Sequence, residues 1–225
     1  MAHTRRSTVD VGAHLRSYGG LVRIMVSGVR DVQVPPVGGP TDTTANITIV
    51  VFVAGLIADR IAGGRTPWRP ARSDRGTFWI IQIGQLVALY VGLDLPRWTS
   101  SGTLSPLVWP IGIAIMIAGI GLRIWSVRTL GAWFDRDIQV RTGQTLVTGG
   151  PYRWLRHPSY AGVLMLFTGL GVAQANVYSI AVLAVVPTLV YLRRINVEEA
   201  AMEKAFGASY REFAAHRKRL IPGVY

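Results

Sequence analysis

The sequence of 225 residues is half hydrophobic and only 16% charged, and its mean hydropathy is +0.32. These values favour a small polytopic membrane protein over a soluble domain of the same length. The absence of cysteine excludes disulfides and thiolate chemistry, and the four histidines have no metal-ligand spacing, so we expect no metal. The net charge of +12 comes from basic residues scattered between apolar runs, which indicates membrane lipids rather than nucleic acid as partners.

Residues 1–44 form a polar N-terminal segment that ends in a proline- and glycine-rich breaker at 35–40. Apolar positions between Leu21 and Val29 predict a short amphipathic helix lying on the membrane, because Arg23 and Arg30 disfavour a spanning one. The charged start is not followed by an adequate hydrophobic region and a cleavage site, so no signal peptide is predicted.

Five apolar stretches follow, at about 45–61, 77–93, 104–125, 158–173 and 177–192. Each is near the lower limit of length for a membrane-spanning helix. The pattern predicts an all-α polytopic integral membrane protein with about five transmembrane helices. Residues 45–125 hold the first three of these helices, and residues 126–225 hold the motifs that carry chemistry.

The distribution of Lys and Arg predicts the orientation. The loop at 62–76 carries four arginines, the segment 126–157 carries five, and the tail after Leu192 carries seven basic residues. The 94–106 loop has only Arg97, and the 174–176 turn has no basic residue. The positive-inside rule therefore places the C-terminus in the cytoplasm. We expect the protein in the cell membrane, with its active site on the cytoplasmic side. The same count places the N-terminus, with five arginines, outside, which is against the rule.

A turn-rich, cationic and aromatic segment lies at residues 149–160, where water meets the membrane. Gly149 and Gly150 allow a backbone to approach a ligand closely, and two prolines frame the pair Arg156 and His157. Ring faces able to stack on a heterocycle or a cation come from Tyr152, Trp154 and Tyr160. The usual enrichment of basic and aromatic residues at a membrane–water interface explains the presence of Arg, Trp and Tyr in this segment. It does not explain the two prolines that frame Arg156 and His157.

Past Leu192 the chain is predicted to leave the membrane as an amphipathic helix. Its apolar stripe is Met202, Phe206, Tyr210 and Phe213. Such a stripe is more often packing than a cofactor site, and we expect it to fold back over residues 149–160. Arg194 and Glu198, four residues apart, lie on one helical face and form either an ion pair or part of a site.

The pattern Gly-Pro-Tyr-x-x-x-Arg-His-Pro-x-Tyr at 150–160 resembles the signature of the isoprenylcysteine carboxyl methyltransferase family, which is related to phospholipid N-methyltransferases. A second block of that family follows in the right order, with Arg194, Glu198, Glu199, Phe206, Gly207, Tyr210 and an Ile-Pro pair at 221–222. The likeness covers residues 124–225, and the first 120 or so residues carry no such signature.

The resemblance implies S-adenosylmethionine as the cofactor and a lipophilic small molecule or lipidated chain as the acceptor. It implies that Arg194 binds the carboxylate of the acceptor and acts in catalysis, and that Glu198 contacts the cofactor. Further cofactor contacts are implied at Gln139, Gln144, Thr145, Leu146, Val147, Tyr152, His157, Pro158, Ser159 and Tyr160. Glu199 is either a supporting partner or solvated.

Three other functions stay open at this point. Methylation of a phospholipid amine would need a proton acceptor, for which Glu199 and His157 are the nearby candidates. Sterol reductases, which use NADPH, end in a similar Arg-His-Pro-x-Tyr block, although they are generally longer. A lipid-binding protein without enzymatic activity is the third. Neither the acceptor nor the oligomeric state follows from the sequence.

Overall fold

The computed structural model describes residues 42–62, 76–99, 101–134, 143 and 145–221, and every structural statement below refers to them. Several features of the sequence lie outside these ranges. They are the amphipathic helix predicted between Leu21 and Val29, most of the arginine-rich loop at 62–76, and the implied cofactor contacts Gln139 and Gln144.

The regular secondary structure of the described residues is helical. The α-helices are α1 (Asp42–Ala62), α2 (Thr77–Trp98), α3 (Trp109–Leu130), α4 (Pro158–Ala173), α5 (Val177–Phe206) and α6 (Ala208–Ala215). Short 3-10 helices lie at Pro106–Val108, Gly131–Trp133 and Gly150–Arg153. The described residues contain no β-strand, apart from two isolated bridges between loop residues.

Four of these helices are long and apolar enough to cross a membrane, at Thr43–Ala62, Thr77–Pro96, Pro106–Trp133 and Val177–Phe206. The all-helical membrane fold is thereby confirmed. The fourth apolar stretch of the sequence forms α4, which has only 16 residues and reaches about 24 Å. Because a hydrocarbon core is about 30 Å thick, α4 needs its flanking residues to complete a crossing.

The hairpin between α4 and α5 turns at the predicted residues, 174–176. Asn176 caps α5 by accepting hydrogen bonds on its side-chain oxygen from the backbone N–H groups of Tyr178 and Ser179, at 2.9 and 3.2 Å. Its side-chain NH₂ donates to the carbonyl of Ser101 at 3.3 Å. Asn176 therefore joins this turn to the loop between α2 and α3 on the same side of the molecule.

Glycines bring α3 and α4 into backbone contact. A Cβ atom added at Gly119 would lie 2.6 Å from the carbonyl oxygen of Gly162, and one added at Gly169 would lie 2.7 Å from that of Gly112. Small residues at such spacing are the usual means by which transmembrane helices pack closely. The contact fixes the start of α4, and with it the residues 149–160, against α3.

The core lies between α1, α2, α3, α4 and α5. Phe52, Met116, Phe167 and Leu183 are buried there, and the rings of Phe52 and Phe167 meet edge to face with centroids 5.6 Å apart. Large apolar side chains on the outer faces of α1 and α2 are exposed, as suits helices that face lipid.

The amphipathic helix predicted after Leu192 is divided between two helices in the structure. Met202 and Phe206 belong to α5, which continues for 30 residues, whereas Tyr210 and Phe213 belong to the separate α6. Gly207 divides the two helices with φ of +55°, a left-handed conformation that glycine adopts at little cost. The four apolar residues therefore do not form one continuous stripe, and the break turns α6 back towards the membrane helices.

Candidate active site

The segment 149–160 is held from two sides. Gly150 has φ of +54°, and a Cβ atom there would lie 2.7 Å from the Oγ1 of Thr129, so this glycine serves packing on α3. On the other side, the N–H groups of Arg156 and His157 donate to the carbonyls of Lys218 and Arg219, at 2.8 and 3.0 Å. The chain after α6 therefore runs beside residues 155–157.

These elements enclose a cavity of about 600 Å³, a volume within the usual range for ligand sites. At the end near His157 it is lined by polar and aromatic side chains, and on the side of α1 and α2 apolar side chains such as Phe52 and Leu89 lie among the polar Asp59, Gln82 and Gln85. The implied site residues that line it are Thr145, Leu146, Val147, Tyr152, His157, Ser159, Tyr160, Arg194 and Glu198.

The hydroxyl group of Tyr160 connects Arg194 and Glu198, to which the family resemblance assigns the acceptor and the cofactor. This hydroxyl donates to Oε2 of Glu198 at 2.6 Å and accepts from Nε of Arg194 at 3.2 Å. Arg194, 4% exposed, also donates from a terminal nitrogen to Oγ1 of Thr77 at 3.1 Å. The Tyr160 ring lies parallel to the His157 ring, with centroids 5.6 Å apart. A carboxylate and a guanidinium are thus held side by side in one cavity.

Glu199 is the centre of a separate ion-pair cluster. Its carboxylate accepts hydrogen bonds from Arg156 and Arg219, both at 2.7 Å, and lies 3.2 Å from Nε2 of His157. Its side chain is 12% exposed, and Glu199 is absent from the cavity lining. Glu199 therefore orients His157 and ties the chain after α6 to residues 156–157.

A second charged group in the cavity was not predicted as part of the site. Nε of Arg123 on α3 lies 2.7 Å from Oδ1 of Asp59 on α1, and Arg123 also donates to Ser159 on α4. Gln82 and Gln85 of α2 line the same region. The signal was present in the sequence, because charged residues within spanning segments usually face a functional cavity.

Some expected residues lie elsewhere. Pro158 is buried at the first position of α4 and does not line the cavity, because its ring serves to start the helix. Trp154 is exposed and packs on Trp125 and Arg153. Met202, Tyr210 and Phe213 do line the cavity, so the C-terminal part folds over the site as expected.

Two tyrosines outside the spanning helices keep their protons. Burial raises the pKa of Tyr152 above its ordinary value, and the Glu198 carboxylate raises it further, against the lowering effect of Arg123. Burial likewise raises the pKa of Tyr210, with the Glu199 carboxylate adding to the rise and Arg156 opposing it. Both hydroxyls are therefore available as hydrogen-bond donors at neutral pH.

The fold and the site define a class: an all-helical membrane protein with a ligand-sized cavity that combines charged and apolar side chains. The family model described as "Phospholipid methyltransferase" matches residues 108–209. "Protein-S-isoprenylcysteine O-methyltransferase B" of Arabidopsis thaliana is 31% identical over 140 residues, which cover 61% of this chain and 66% of the plant protein. The "Uncharacterized protein YpbQ" of Bacillus subtilis is 29% identical over 100 residues, which cover 44% of this chain and 60% of that protein.

A solved structure of the "eukaryotic intramembrane Ras methyltransferase ICMT" matches with a TM-score of 0.55 at 21% identity, over 81% of this chain and 66% of that one. The structural likeness supports the fold. The chain is thus similar to isoprenylcysteine O-methyltransferases and, over residues 108–209, to the phospholipid methyltransferase family model. The matches leave about a third or more of each of these relatives uncovered.

Proposed function

We propose that this protein is a membrane methyltransferase that transfers a methyl group from S-adenosylmethionine to the carboxylate of a lipophilic acceptor. The observation that carries the proposal is the Glu198–Tyr160–Arg194 arrangement, in which a carboxylate and a guanidinium share one tyrosine hydroxyl inside a single cavity. The cavity lining combines this polar group with many apolar side chains of the membrane helices, which suits one polar and one lipophilic ligand.

The side chains present fit the cofactor. The Glu198 carboxylate, with 29% of its side chain exposed, is suited to the ammonium or the ribose hydroxyls, and Tyr152 and His157 offer ring faces for an adenine or a sulfonium. S-adenosylmethionine supplies an already activated methyl group on its sulfonium. The protein therefore needs to bind, align and exclude water rather than to generate an electrophile.

Arg194 is the candidate clamp for the acceptor. A buried guanidinium usually faces an anion, and its planar fork can hold a carboxylate in a fixed direction. An aliphatic carboxylic acid has a reference pKa of about 4, so the acceptor is already deprotonated at neutral pH and needs no general base. Thr77 and Tyr160 hold the guanidinium in place for this role.

Methylation of a phospholipid amine is the second candidate, favoured by the family model that matches residues 108–209. That reaction requires removal of a proton from the ammonium form. Glu199 is a poor candidate for this task, because it already accepts from Arg156 and Arg219 and does not line the cavity. His157 would remain, and the nearby guanidinium of Arg194 would oppose a cationic substrate.

The proposed location is the cell membrane, with the site on the cytoplasmic side. The polar end of the cavity lies at the helix ends that also carry Arg153, Arg156, Arg217, Lys218 and Arg219. Such an excess of basic residues is typical of the cytoplasmic side.

Calorimetric titration of the purified protein in detergent with S-adenosylmethionine and, separately, with NADPH tests the class of enzyme. We expect binding of the first and none of the second. Transfer of a labelled methyl group to an amphipathic carboxylic acid, with an amphipathic amine of equal chain length as the comparison, then tests the acceptor. Binding of NADPH alone would instead support a reductase, and transfer only to the amine would support N-methylation.

A further inference from the structure

We infer that the acceptor carries a second polar group, a hydroxyl or amide several carbon atoms from its carboxylate, and that Gln82 binds it. The inference deepens the proposed function and rests on it. The binding element is a polar subsite formed by Asp59 of α1, Gln82 and Gln85 of α2, and Arg123 of α3, all of which line the cavity. A site built for a hydrocarbon tail alone would be apolar here.

Three members of the polar subsite have partners within the protein. Asp59 and Arg123 form an ion pair at 2.7 Å, and Nε2 of Gln85 donates to the hydroxyl of Tyr191 at 3.1 Å. Among the described residues, the carboxamide of Gln82 has no hydrogen-bond partner, and its residue is only partly exposed. Gln82 therefore presents one acceptor and two donors to the cavity.

A ligand that fills the cavity displaces water from these groups. A plain hydrocarbon would leave the Gln82 carboxamide without any hydrogen bond, and it would also remove water from the partly exposed Asp59, which is unfavourable in a low-dielectric site. A hydroxyl or amide at this point restores the lost hydrogen bonds. The chemistry of the lining thus selects an amphipathic acid with a second neutral hydrogen-bonding group.

The helix geometry indicates how far this group lies from the carboxylate. Thr77 contacts Arg194, and Gln82 is five residues further along α2, which corresponds to a rise of roughly 7.5 Å. An extended chain advances ~1.2 Å per bond, so at least about six bonds separate the two positions, because a rotation of about 140° around the helix axis adds to the rise. A hydroxyl at carbon 6 of a fatty acid is the simplest probe of this spacing.

The test measures binding of hexadecanoic acid and of 6-hydroxyhexadecanoic acid to the full-length protein in detergent, by calorimetry. We expect the hydroxy acid to bind about three- to ten-fold more tightly, the contribution of one hydrogen bond, and Gln82→Leu to remove the difference. Ile83→Leu is the control, because Ile83 is exposed on the lipid-facing side of α2 and is absent from the cavity lining. Melting temperatures check that both variants fold.

Equal affinity for the two acids, no measurable binding of either, or a preference that survives in Gln82→Leu would each overturn the inference. A preference that depends on Gln82, in a protein that neither binds S-adenosylmethionine nor transfers a methyl group, would support the polar subsite and count against the proposed function. Equal binding of the two acids, with equally efficient methyl transfer to both, would support the proposed function and overturn the polar subsite.

Discussion

A single hydroxyl group, that of Tyr160, lies between the carboxylate of Glu198 and the guanidinium of Arg194. Each of these charged groups has other neighbours, since Glu198 lies 3.9 Å from Nδ1 of His157 and Arg194 donates to Thr77. The two proposed binding roles, for cofactor and for acceptor, can therefore be separated by substitutions that change one group at a time.

Glu198→Ala should weaken binding of S-adenosylmethionine while the protein stays folded. The change removes a carboxylate that is partly exposed in the cavity and no core packing, and a charge-assisted hydrogen bond contributes about ten- to a hundred-fold to affinity. Calorimetry measures the loss. Glu203→Ala is the matched control, because Glu203 is exposed five residues further along the same helix. Unchanged affinity in Glu198→Ala would remove Glu198 from the cofactor site.

Arg194→Lys should lower turnover on an amphipathic acid at least roughly ten-fold and leave cofactor affinity within about a factor of two. The lysine keeps the charge but loses the planar fork that holds a carboxylate in one direction. Arg193→Lys, at the exposed neighbouring position, is the control. A parallel fall of cofactor affinity and melting temperature would identify Arg194 as a structural strut, and equal turnover would rule out the clamp.

At the scale of the elements, two contacts decide where the site residues lie. The glycine contact between α3 and α4 brings Arg123 next to Ser159, and the break at Gly207 brings α6 over the cavity. Both contacts can be changed at positions that do not touch the charged groups of the site.

Gly112→Ala should destabilise the protein by roughly 1–3 kcal/mol, because the added methyl group would meet the backbone of α4, with the carbonyl oxygen of Gly169 at 2.7 Å. Gly121→Ala on the same helix is the control, since nothing lies within 4 Å of its added Cβ atom and alanine is the better helix former. Thermal unfolding in detergent measures both. Equal melting temperatures would show that α3 and α4 separate without cost.

Phe213→Ala should reduce cofactor affinity about ten-fold, because it removes part of a buried aromatic wall from the cavity. The melting temperature, measured on the same samples, shows how much the loss of this buried ring destabilises the fold. Glu212→Ala, at the exposed position beside it on α6, serves as control. If affinity is the same in all three proteins, α6 only covers the outside of the molecule.

For the whole molecule, the helices divide the loops into two groups. The turn at 174–176 and the loop before α3 are joined by hydrogen bonds, such as that from the N–H of Leu104 to the carbonyl of Ala175 at 2.7 Å. The opposite group holds the ends of α1, α3 and α5 and the cavity's polar end. The orientation of the protein in the membrane depends on which of these two groups of loops faces the cytoplasm.

The absence of cysteine makes that orientation directly measurable. A membrane-impermeant maleimide should label Ser101→Cys in intact cells and label Arg211→Cys only after lysis, because both positions are exposed and belong to opposite groups. Labelling of Arg211→Cys alone in intact cells would reverse the proposed topology.

The local pattern of the sequence was sufficient for the helices. Hydrophobic length and the turn between α4 and α5 depend on neighbouring residues, and the structure has this turn at residues 174–176, with α4 and α5 beginning at Pro158 and Val177, as predicted. Composition excluded thiolate chemistry outright, because no cysteine is present. The two motif blocks also identified most of the side chains that line the polar end of the cavity.

Only the tertiary structure decided how charges are paired. Glu198 and Glu199 are adjacent in sequence, but successive positions on a helix point about 100° apart, so one faces the cavity and the other accepts from Arg156 and Arg219. The partners Asp59 and Arg123 are 64 residues apart, and no local period predicts their contact. The direction in which the chain turns after Gly207 was likewise decided by the packing of Tyr210 and Phe213 against the cavity, whereas the spacing of apolar residues alone favoured one helix.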